Sequence, residues 1–198
     1  MKKLLLLLLL SVSVTGISQK LNLDLLKDMQ PRNVGPAGMS GRITAIDAVT
    51  DNPDIIYAGS ASGGLWKSTS GGVTWKPVFE NEATSSIGAV AIQQSNPSVI
   101  WVGTGEGNPR NSLNGGFGIY KSLDGGKTWK CMGLEKTRHI YRVRINPSNP
   151  DIVYAAAIGS PWGEHEERGV YRTQDGGKTW EKVLYVNDKT GTAELVMD

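Results

Sequence analysis

The sequence is poor in the features that define several classes of protein. Cys131 is its single cysteine, which excludes an internal disulfide framework. It has 21 Lys and Arg residues against 19 Asp and Glu residues, and the excess lies in Lys2 and Lys3. Without those two lysines the charges balance, whereas a nucleic-acid-binding domain shows a basic excess or stripe. We therefore predict no nucleic-acid partner.

Long hydrophobic runs are absent after the amino terminus. There, a basic start at 1–3 precedes an unbroken leucine run at 4–10 and a small-residue segment at 11–18. This order is typical of a secretory signal peptide, and the run is shorter than the roughly 20 residues that span a bilayer. We expect residues 1–18 to be removed and the protein to be exported to the periplasm, the cell surface or the medium, with no membrane span left.

Leucine is also scarce after the first 27 residues, while Val, Ile, Tyr, Trp and Thr are frequent and the chain has 25 glycines. These residue types favour short strands joined by tight turns. One helix is predicted, at 22–29, because Leu23 and Leu26 share a face and Pro31 ends the pattern. It falls in an amino-terminal lead-in segment, 19–33.

A repeat dominates the remainder of the sequence. Asn-Pro at 52, 96 and 149 is followed each time by Gly-apolar-aromatic-Lys/Arg-Ser/Thr and then by Gly-Gly-x-Thr-Trp. Each unit has room for four strands, predicted in the third unit at 140–145, 152–157, 169–173 and 179–185. Four-stranded units of about 40–50 residues, repeated in tandem, are typical of a β-propeller.

The predicted fold class is therefore all-β: a partial β-propeller at 34–198. Its blades are expected at about 34–80, 85–134 and 137–186, followed by the first strand of a next blade at 192–198. A closed propeller needs at least about four blades. We accordingly expect this chain to be the amino-terminal piece of a longer protein, with the remaining blades as its partners.

Two turns of the repeat resemble the Asp-box, or bacterial neuraminidase repeat, with its pattern Ser/Thr-x-Asp-x-Gly-x-Thr-Trp. Ser68–Trp75 is a degenerate third copy with Ser70 in the Asp position. An Asp in such a turn accepts backbone N–H groups, so we assign it a structural role. The residues assigned to the two complete boxes are Ser122, Asp124, Gly126, Thr128, Trp129, Thr173, Asp175, Gly177, Thr179 and Trp180.

A second resemblance covers more of the chain. Segments 33–36 with 41–43, 62–67, and 162–163 with 166–171 are similar to the sortilin (vacuolar sorting receptor) amino-terminal domain, as found in large exported bacterial proteins often labelled glycosyl hydrolases. The resemblance implies a propeller that presents a polar face to a glycan or a peptide.

Two loop insertions, 105–117 and 159–168, are the predicted location of the ligand site, since function collects on loops of a rigid scaffold. The predicted ligand-binding residues are Arg42, Glu106, Asn108, Arg110, Trp162, His165 and Arg168. Glu106 and Glu166 are the candidate catalytic carboxylates. No cofactor and no metal site is expected, because His165 and His139 are the only histidines.

The favoured function is a glycan- or peptide-binding module, and the alternative is a glycoside hydrolase. Hydrolysis needs two facing carboxylates, and the loops supply Glu106, Glu164, Glu166 and Glu167 without a motif that selects any of them. Xyloglucan-active endoglucanases share the Asp-box but carry their catalytic Asp where Ala61 stands here.

A sialidase would use three converging arginines, for which Arg42, Arg110 and Arg142 are available. The Arg-Ile-Pro opening of sialidases is absent, because Thr44 follows Ile43. In either hydrolase, further catalytic residues would lie beyond residue 198.

Overall fold

The computed structural model describes residues 42–108 and 110–198, together with Asn22 and Asp24. The predicted signal peptide (1–18) lies outside the described residues, as do the lead-in segment and the helix predicted at 22–29 apart from Asn22 and Asp24. Residues 42–198 belong to one compact unit, Val34–Asp198. Within the described part, no helix is long and apolar enough to cross a membrane.

Three four-stranded antiparallel sheets make up this unit, which confirms the predicted all-β propeller class. In each sheet, four consecutive strands pair in chain order. The first sheet contains β1 (Ile43–Val49), β2 (Asn52–Ser60), β3 (Leu65–Thr69) and β4 (Lys76–Pro77). The second contains β5 (Ile87–Ile92), β6 (Ile100–Thr104), β7 (Ile119–Ser122) and β8 (Lys130–Cys131). After a 3₁₀ turn at Glu135–Thr137, the third contains β9 (Ile140–Ile145), β10 (Val153–Ala157), β11 (Gly169–Thr173) and β12 (Glu181–Leu184).

The segment predicted as the first strand of a next blade, 192–198, forms no strand. It lies beside β9, where two arginine side chains of that strand contact it. Arg144 Nε donates to the carbonyl of Leu195 at 2.9 Å, and Arg142 Nε pairs with Glu194 at 2.8 Å. The start of a next blade at 192–198 stays a prediction.

The middle blade is the most deeply packed. Every residue of β5 and β6 is buried, as expected for strands covered on both faces, whereas every residue of β12 is exposed. Two glycines let neighbouring blades approach. A Cβ on Gly59 would lie 2.4 Å from Ile87 Cγ2, and one on Gly103 would lie 2.6 Å from Ile140 Cγ2. The core thus lies between adjacent sheets.

The two ends of the blades form separate surfaces. We call one the loop face: it contains the β2–β3, β6–β7 and β10–β11 loops. These loops are hydrogen-bonded to residues just before the first strand of a blade, as in the bond from Gly105 N to Ser86 O at 2.8 Å. The other, the turn face, holds the Asp-box turns, joined to the Asn-Pro turns by bonds such as Gly125 N to Ser98 O at 2.9 Å. The predicted ligand residues therefore belong to the loop face and the boxes to the turn face.

Candidate functional site

The Asp-box of the second blade is closed by its own hydrogen bonds. Asp124 Oδ1 accepts the Ser122 hydroxyl at 2.8 Å and two backbone N–H groups at 2.9 Å, and Oδ2 accepts the Thr128 hydroxyl at 2.6 Å. Ser122 Oγ in turn accepts from Gly126 N at 2.9 Å. The bonds from Thr128, first among them its hydroxyl, hold the pKa of Asp124 well below its ordinary value.

The third-blade box has the same geometry around Asp175. Thr173 donates its hydroxyl at 2.7 Å, and Thr179 donates its N–H at 3.0 Å and its hydroxyl at 2.7 Å. In the degenerate first box, Ser70 Oγ accepts Thr74 N at 2.9 Å, so the turn keeps its shape without the charge. Because these oxygens are already bonded within the turn, the boxes offer no carboxylate for catalysis.

Each complete box turn also docks on the preceding blade. Trp129 Nε1 donates to the carbonyl of Val78 at 2.6 Å, and Trp180 Nε1 donates to the carbonyl of Met132 at 2.7 Å. The Trp180 ring meets Trp101 edge to face with centroids 6.1 Å apart. The boxes therefore hold adjacent blades together.

On the loop face, the first insertion brings two predicted residues into contact. Arg42, just before β1, forms an ion pair with Glu106, 64 positions away in the β6–β7 loop. Glu106 is completely buried, and its backbone N–H donates to Ser86 Oγ at 3.0 Å. Among the residues that the structure describes, none bonds to its Oε2. The pair thus joins the first two blades at this face.

Arg42 is also affected by a second arginine. Burial, and then the charge of Arg110, lower the pKa of the Arg42 guanidinium. Arg110 itself is exposed. Asn108 Oδ1 accepts the Tyr141 hydroxyl at 3.1 Å, which ties the same insertion to the third blade.

His139, which precedes β9, is a residue that the sequence reasoning did not select. Its Nδ1–H donates to the carbonyl of Glu106 at 2.6 Å, since a carbonyl oxygen only accepts. Burial lowers its pKa to about 4, and the charges of Arg138 and His165 act in the same direction. His139 directly precedes the first strand of its blade, as Arg42 and Ser86 do in the other two blades. This shared position in the repeat is the sequence feature that could have singled it out.

The second insertion is fixed from inside by Arg168. This buried guanidinium donates to the carbonyls of Ile158 at 2.7 Å, Ser160 at 2.6 Å and Gly163 at 2.9 Å. Glu164 pairs with Lys189 at 2.9 Å on the outer side of the loop. Arg168 therefore stabilises the loop, because its guanidinium N–H groups donate to the loop's own backbone carbonyls.

Trp162 lies on this fixed loop with 66% of its surface exposed. His165 is half-buried beside Arg168, and burial, followed by the charge of Arg168, lowers its pKa. Glu166 is exposed, while Glu167 accepts the Tyr171 hydroxyl at 2.6 Å. Among the predicted residues of this loop, Trp162 and Glu166 are the ones that solvent reaches most freely.

Two of the positions considered for hydrolysis are enclosed in the structure. Glu106 is enclosed, and Ala61, which the resemblance aligns with the catalytic Asp of xyloglucan-active endoglucanases, is buried and bonded through its N–H to the carbonyl of Arg42 at 3.0 Å. Across 42–108 and 110–198, no three His, Cys, Asp or Glu side chains are grouped so as to hold a metal ion.

The sequence is similar to a known repeat and to two xyloglucanases. Residues 171–182 match the BNR/Asp-box repeat, at the third-blade turn. Over 111 residues the chain is 36% identical to xyloglucanase Xgh74A of Acetivibrio thermocellus, covering 49% of this chain and 13% of that protein. Over 170 residues it is 25% identical to a xyloglucanase of Hypocrea jecorina, covering 77% of this chain and 20% of that one.

A solved structure supports the same architecture. An ancestral GH74 enzyme superposes with a TM-score of 0.56 at 24% identity, covering 74% of this chain and 19% of its own. The chain spans only 13–20% of the length of these two curated relatives. By sequence and fold, then, it is similar to part of the Asp-box propeller of glycoside hydrolases named as xyloglucanases.

Proposed function

We propose that this chain is a polysaccharide-binding segment of an exported Asp-box propeller and that its loop face carries the ligand site. The observation that carries the proposal is Trp162, an exposed aromatic ring on a loop that the buried Arg168 holds at three carbonyls. A fixed aromatic ring offers a flat apolar surface to the face of a sugar at little entropic cost. Exposed polar side chains of the two insertions, such as Glu166 and Arg110, would supply bonds to hydroxyl groups.

Xyloglucan is the glycan that we propose first, because the curated relatives are named as enzymes that act on it. The chain itself binds without cleaving in this proposal. Glu106 has no exposed surface and is neutralised by Arg42, so it has no path to a glycosidic oxygen. Ala61 supplies no carboxylate where the resemblance places the catalytic Asp.

Export through the signal peptide at 1–18 belongs to this proposal, as does the closer resemblance to the sortilin amino-terminal domain. The sortilin resemblance adds a peptide as the competing ligand class. Both ligand classes would use the same loop face, so titrating the same chain with a glycan and with peptides distinguishes them.

The test is calorimetric titration of the chain with soluble xyloglucan. Trp162→Ala is expected to weaken binding by about tenfold or more, as for other aromatic anchors. Trp75→Ala is the matched control, because Trp75 is also partly exposed but lies on the turn face, and it should leave binding unchanged. Saturable binding to a peptide array without binding to xyloglucan would overturn the glycan assignment.

A glycoside hydrolase is the second candidate, favoured by the 36% identity to Xgh74A. Release of reducing sugar from xyloglucan, abolished by Glu166→Gln or Glu106→Gln, would replace the binding proposal. Turnover that survives both substitutions would also exclude a purely binding role but would place the catalytic groups elsewhere.

A further inference from the structure

A strained turn lies between the second and third blades, at Arg138. Its backbone has φ 65° and ψ −46°, and across it the N–H of His139 donates to the carbonyl of Thr137 at 2.7 Å. A hydrogen bond between residues i and i+2 defines a γ-turn, and the form with positive φ at its central residue is rare and strained. Residues held in such conformations are found most often at ligand clamps, active sites and switch regions.

Arginine is an unexpected residue for this conformation. In the described part of the chain, glycine occupies every positive-φ position except those of Leu134 and Arg138. Leu134, at φ 62° and ψ 26°, lies near the left-handed helical region, whereas Arg138 lies outside it. Thr137 and His139 on either side are buried, while Arg138 is exposed. Glycine would make this turn without strain, so what arginine adds here is its exposed side chain.

The guanidinium of Arg138 lies within reach of both loop insertions. The backbone carbonyl of Arg138 accepts the N–H of Gly116 at 2.6 Å, and its Nη1 lies 4.0 Å from the position that a Cβ on Gly115 would take. In the second insertion, burial and then the charge of Arg168 lower the pKa of His165, and the charge of Arg138 acts in the same direction. The cation therefore stands between the end of one insertion and the middle of the other.

This cation has no counter-ion among the described residues. Across 42–108 and 110–198, no carboxylate oxygen lies within 4.0 Å of the Arg138 guanidinium. In the insertions, Glu106 pairs with Arg42 and Glu164 pairs with Lys189 instead. A guanidinium presents a planar fork of N–H donors that matches the two oxygens of a carboxylate. A carboxylate is accordingly the ligand group that this position suits best.

Each insertion also presents an exposed aromatic ring. Phe117 directly follows Gly116 and is 52% exposed, and its N–H donates to the buried Thr104 Oγ1 at 2.7 Å, which fixes its backbone. Trp162 of the second insertion is 66% exposed. Aromatic rings of this kind offer apolar surface to the faces of sugars. The loop face thus combines a cation with two platforms for a glycan chain.

We propose that Arg138 binds a carboxylate of the glycan, so that the loop face selects a polysaccharide that carries uronate residues over a neutral one. The inference rests on the proposed function, because it takes the loop face as the glycan site. The guanidinium holds the carboxylate, and the rings of Phe117 and Trp162 receive other sugars of the chain. Neutral xyloglucan would use the rings and leave the guanidinium to hydroxyl groups.

The test compares one oligosaccharide in three forms by calorimetric titration of the chain. The forms are a xyloglucan oligosaccharide, the same oligosaccharide with its galactose C6 oxidised to a carboxylate, and the methyl ester of the oxidised form. We expect the carboxylate form to bind about tenfold more tightly than the other two, as for a charge-assisted hydrogen bond, and this advantage to shrink in high salt. Equal binding of all three forms overturns the carboxylate assignment and leaves the proposed function standing, whereas binding of none refutes both.

Two variants separate a ligand-binding arginine from a structural one. Arg138→Gly removes the cation and relieves the turn, so the advantage of the carboxylate form should vanish while the midpoint of urea unfolding rises. Lys136→Ala, at a neighbouring exposed cation of the 3₁₀ turn, should keep the tenfold advantage. An advantage that survives Arg138→Gly would give the arginine a structural role alone and overturn the proposal. An equal loss in both variants would show a response to net charge and would overturn it as well.

Discussion

Replacing Gly177 with alanine tests how closely a box turn packs on the blade before it. Gly177 has φ +96°, a conformation that costs a residue with a Cβ about 1–2 kcal/mol. The new Cβ would lie 2.5 Å from Trp101 Cη2 and 3.2 Å from Met132 Cε. Trp101 is fully buried and has no room to retreat, so overpacking adds about 1–3 kcal/mol.

We therefore expect Gly177→Ala to lower the free energy of unfolding by about 2–5 kcal/mol. Two matched glycines separate the cost of the backbone conformation from the cost of overpacking. Gly64→Ala, at φ +75° with no atom within 4 Å of its Cβ, carries the backbone cost alone and should lose about 1–2 kcal/mol. Gly126→Ala, with its nearest contacts at 3.5 Å, should lose only slightly more.

Urea unfolding followed by tryptophan fluorescence and by circular dichroism measures all three variants on one scale. The order predicted is Gly177→Ala, then Gly126→Ala, then Gly64→Ala, from most to least destabilised. If Gly177→Ala loses no more than Gly64→Ala, the close approach of the third turn to Trp101 is refuted.

Three further predictions concern single groups. His139 has a pKa of about 4 in the folded protein and 6.5 in the unfolded chain, so the folded state keeps it neutral and the free energy of unfolding should fall by up to about 3 kcal/mol as the pH drops from 6.5 to 4. An NMR titration of its ring that gives a pKa near 6.5 would contradict this. Tyr57→Phe removes one donor to the carbonyl of Gly125 while Lys67 keeps the other, so urea unfolding should show a loss of about 1 kcal/mol, and an unchanged midpoint would refute the bond. Ser70→Asp restores the charge of the first box and should raise the free energy of unfolding by about 0.5–1 kcal/mol at pH 7, and this gain should shrink below pH about 4 as the carboxylate is protonated. A loss of stability at pH 7 would show that the first turn cannot accommodate the aspartate as the other two turns do.

The turns were predictable because their chemistry is local. Asp124 and Asp175 meet partners within four residues, and the paired glycines supply the positive φ that the turns need. The three blades followed from the repeat of those turns with strand-forming residues between them. No long-range information was required for either step.

The loop face was only partly predictable, because its contacts join distant parts of the chain. The sequence selected Arg42 and Glu106 separately, and nothing in their spacing indicates that one neutralises the other inside the structure. Arg168 was expected to face a ligand, but the path of its loop turns it toward three carbonyls. The bonds from Arg142 and Arg144 to 194–195 likewise join residues about 50 positions apart, and no local pattern indicates them.

Hydrogen exchange with and without a xyloglucan oligosaccharide tests most directly that the loop face binds ligand and the turn face holds the blades. The account predicts slower exchange on ligand addition in 158–168 and 105–108, with no change in the box turns at 122–129 and 173–180. Protection confined to the box turns, with unchanged exchange in both insertions, would contradict it.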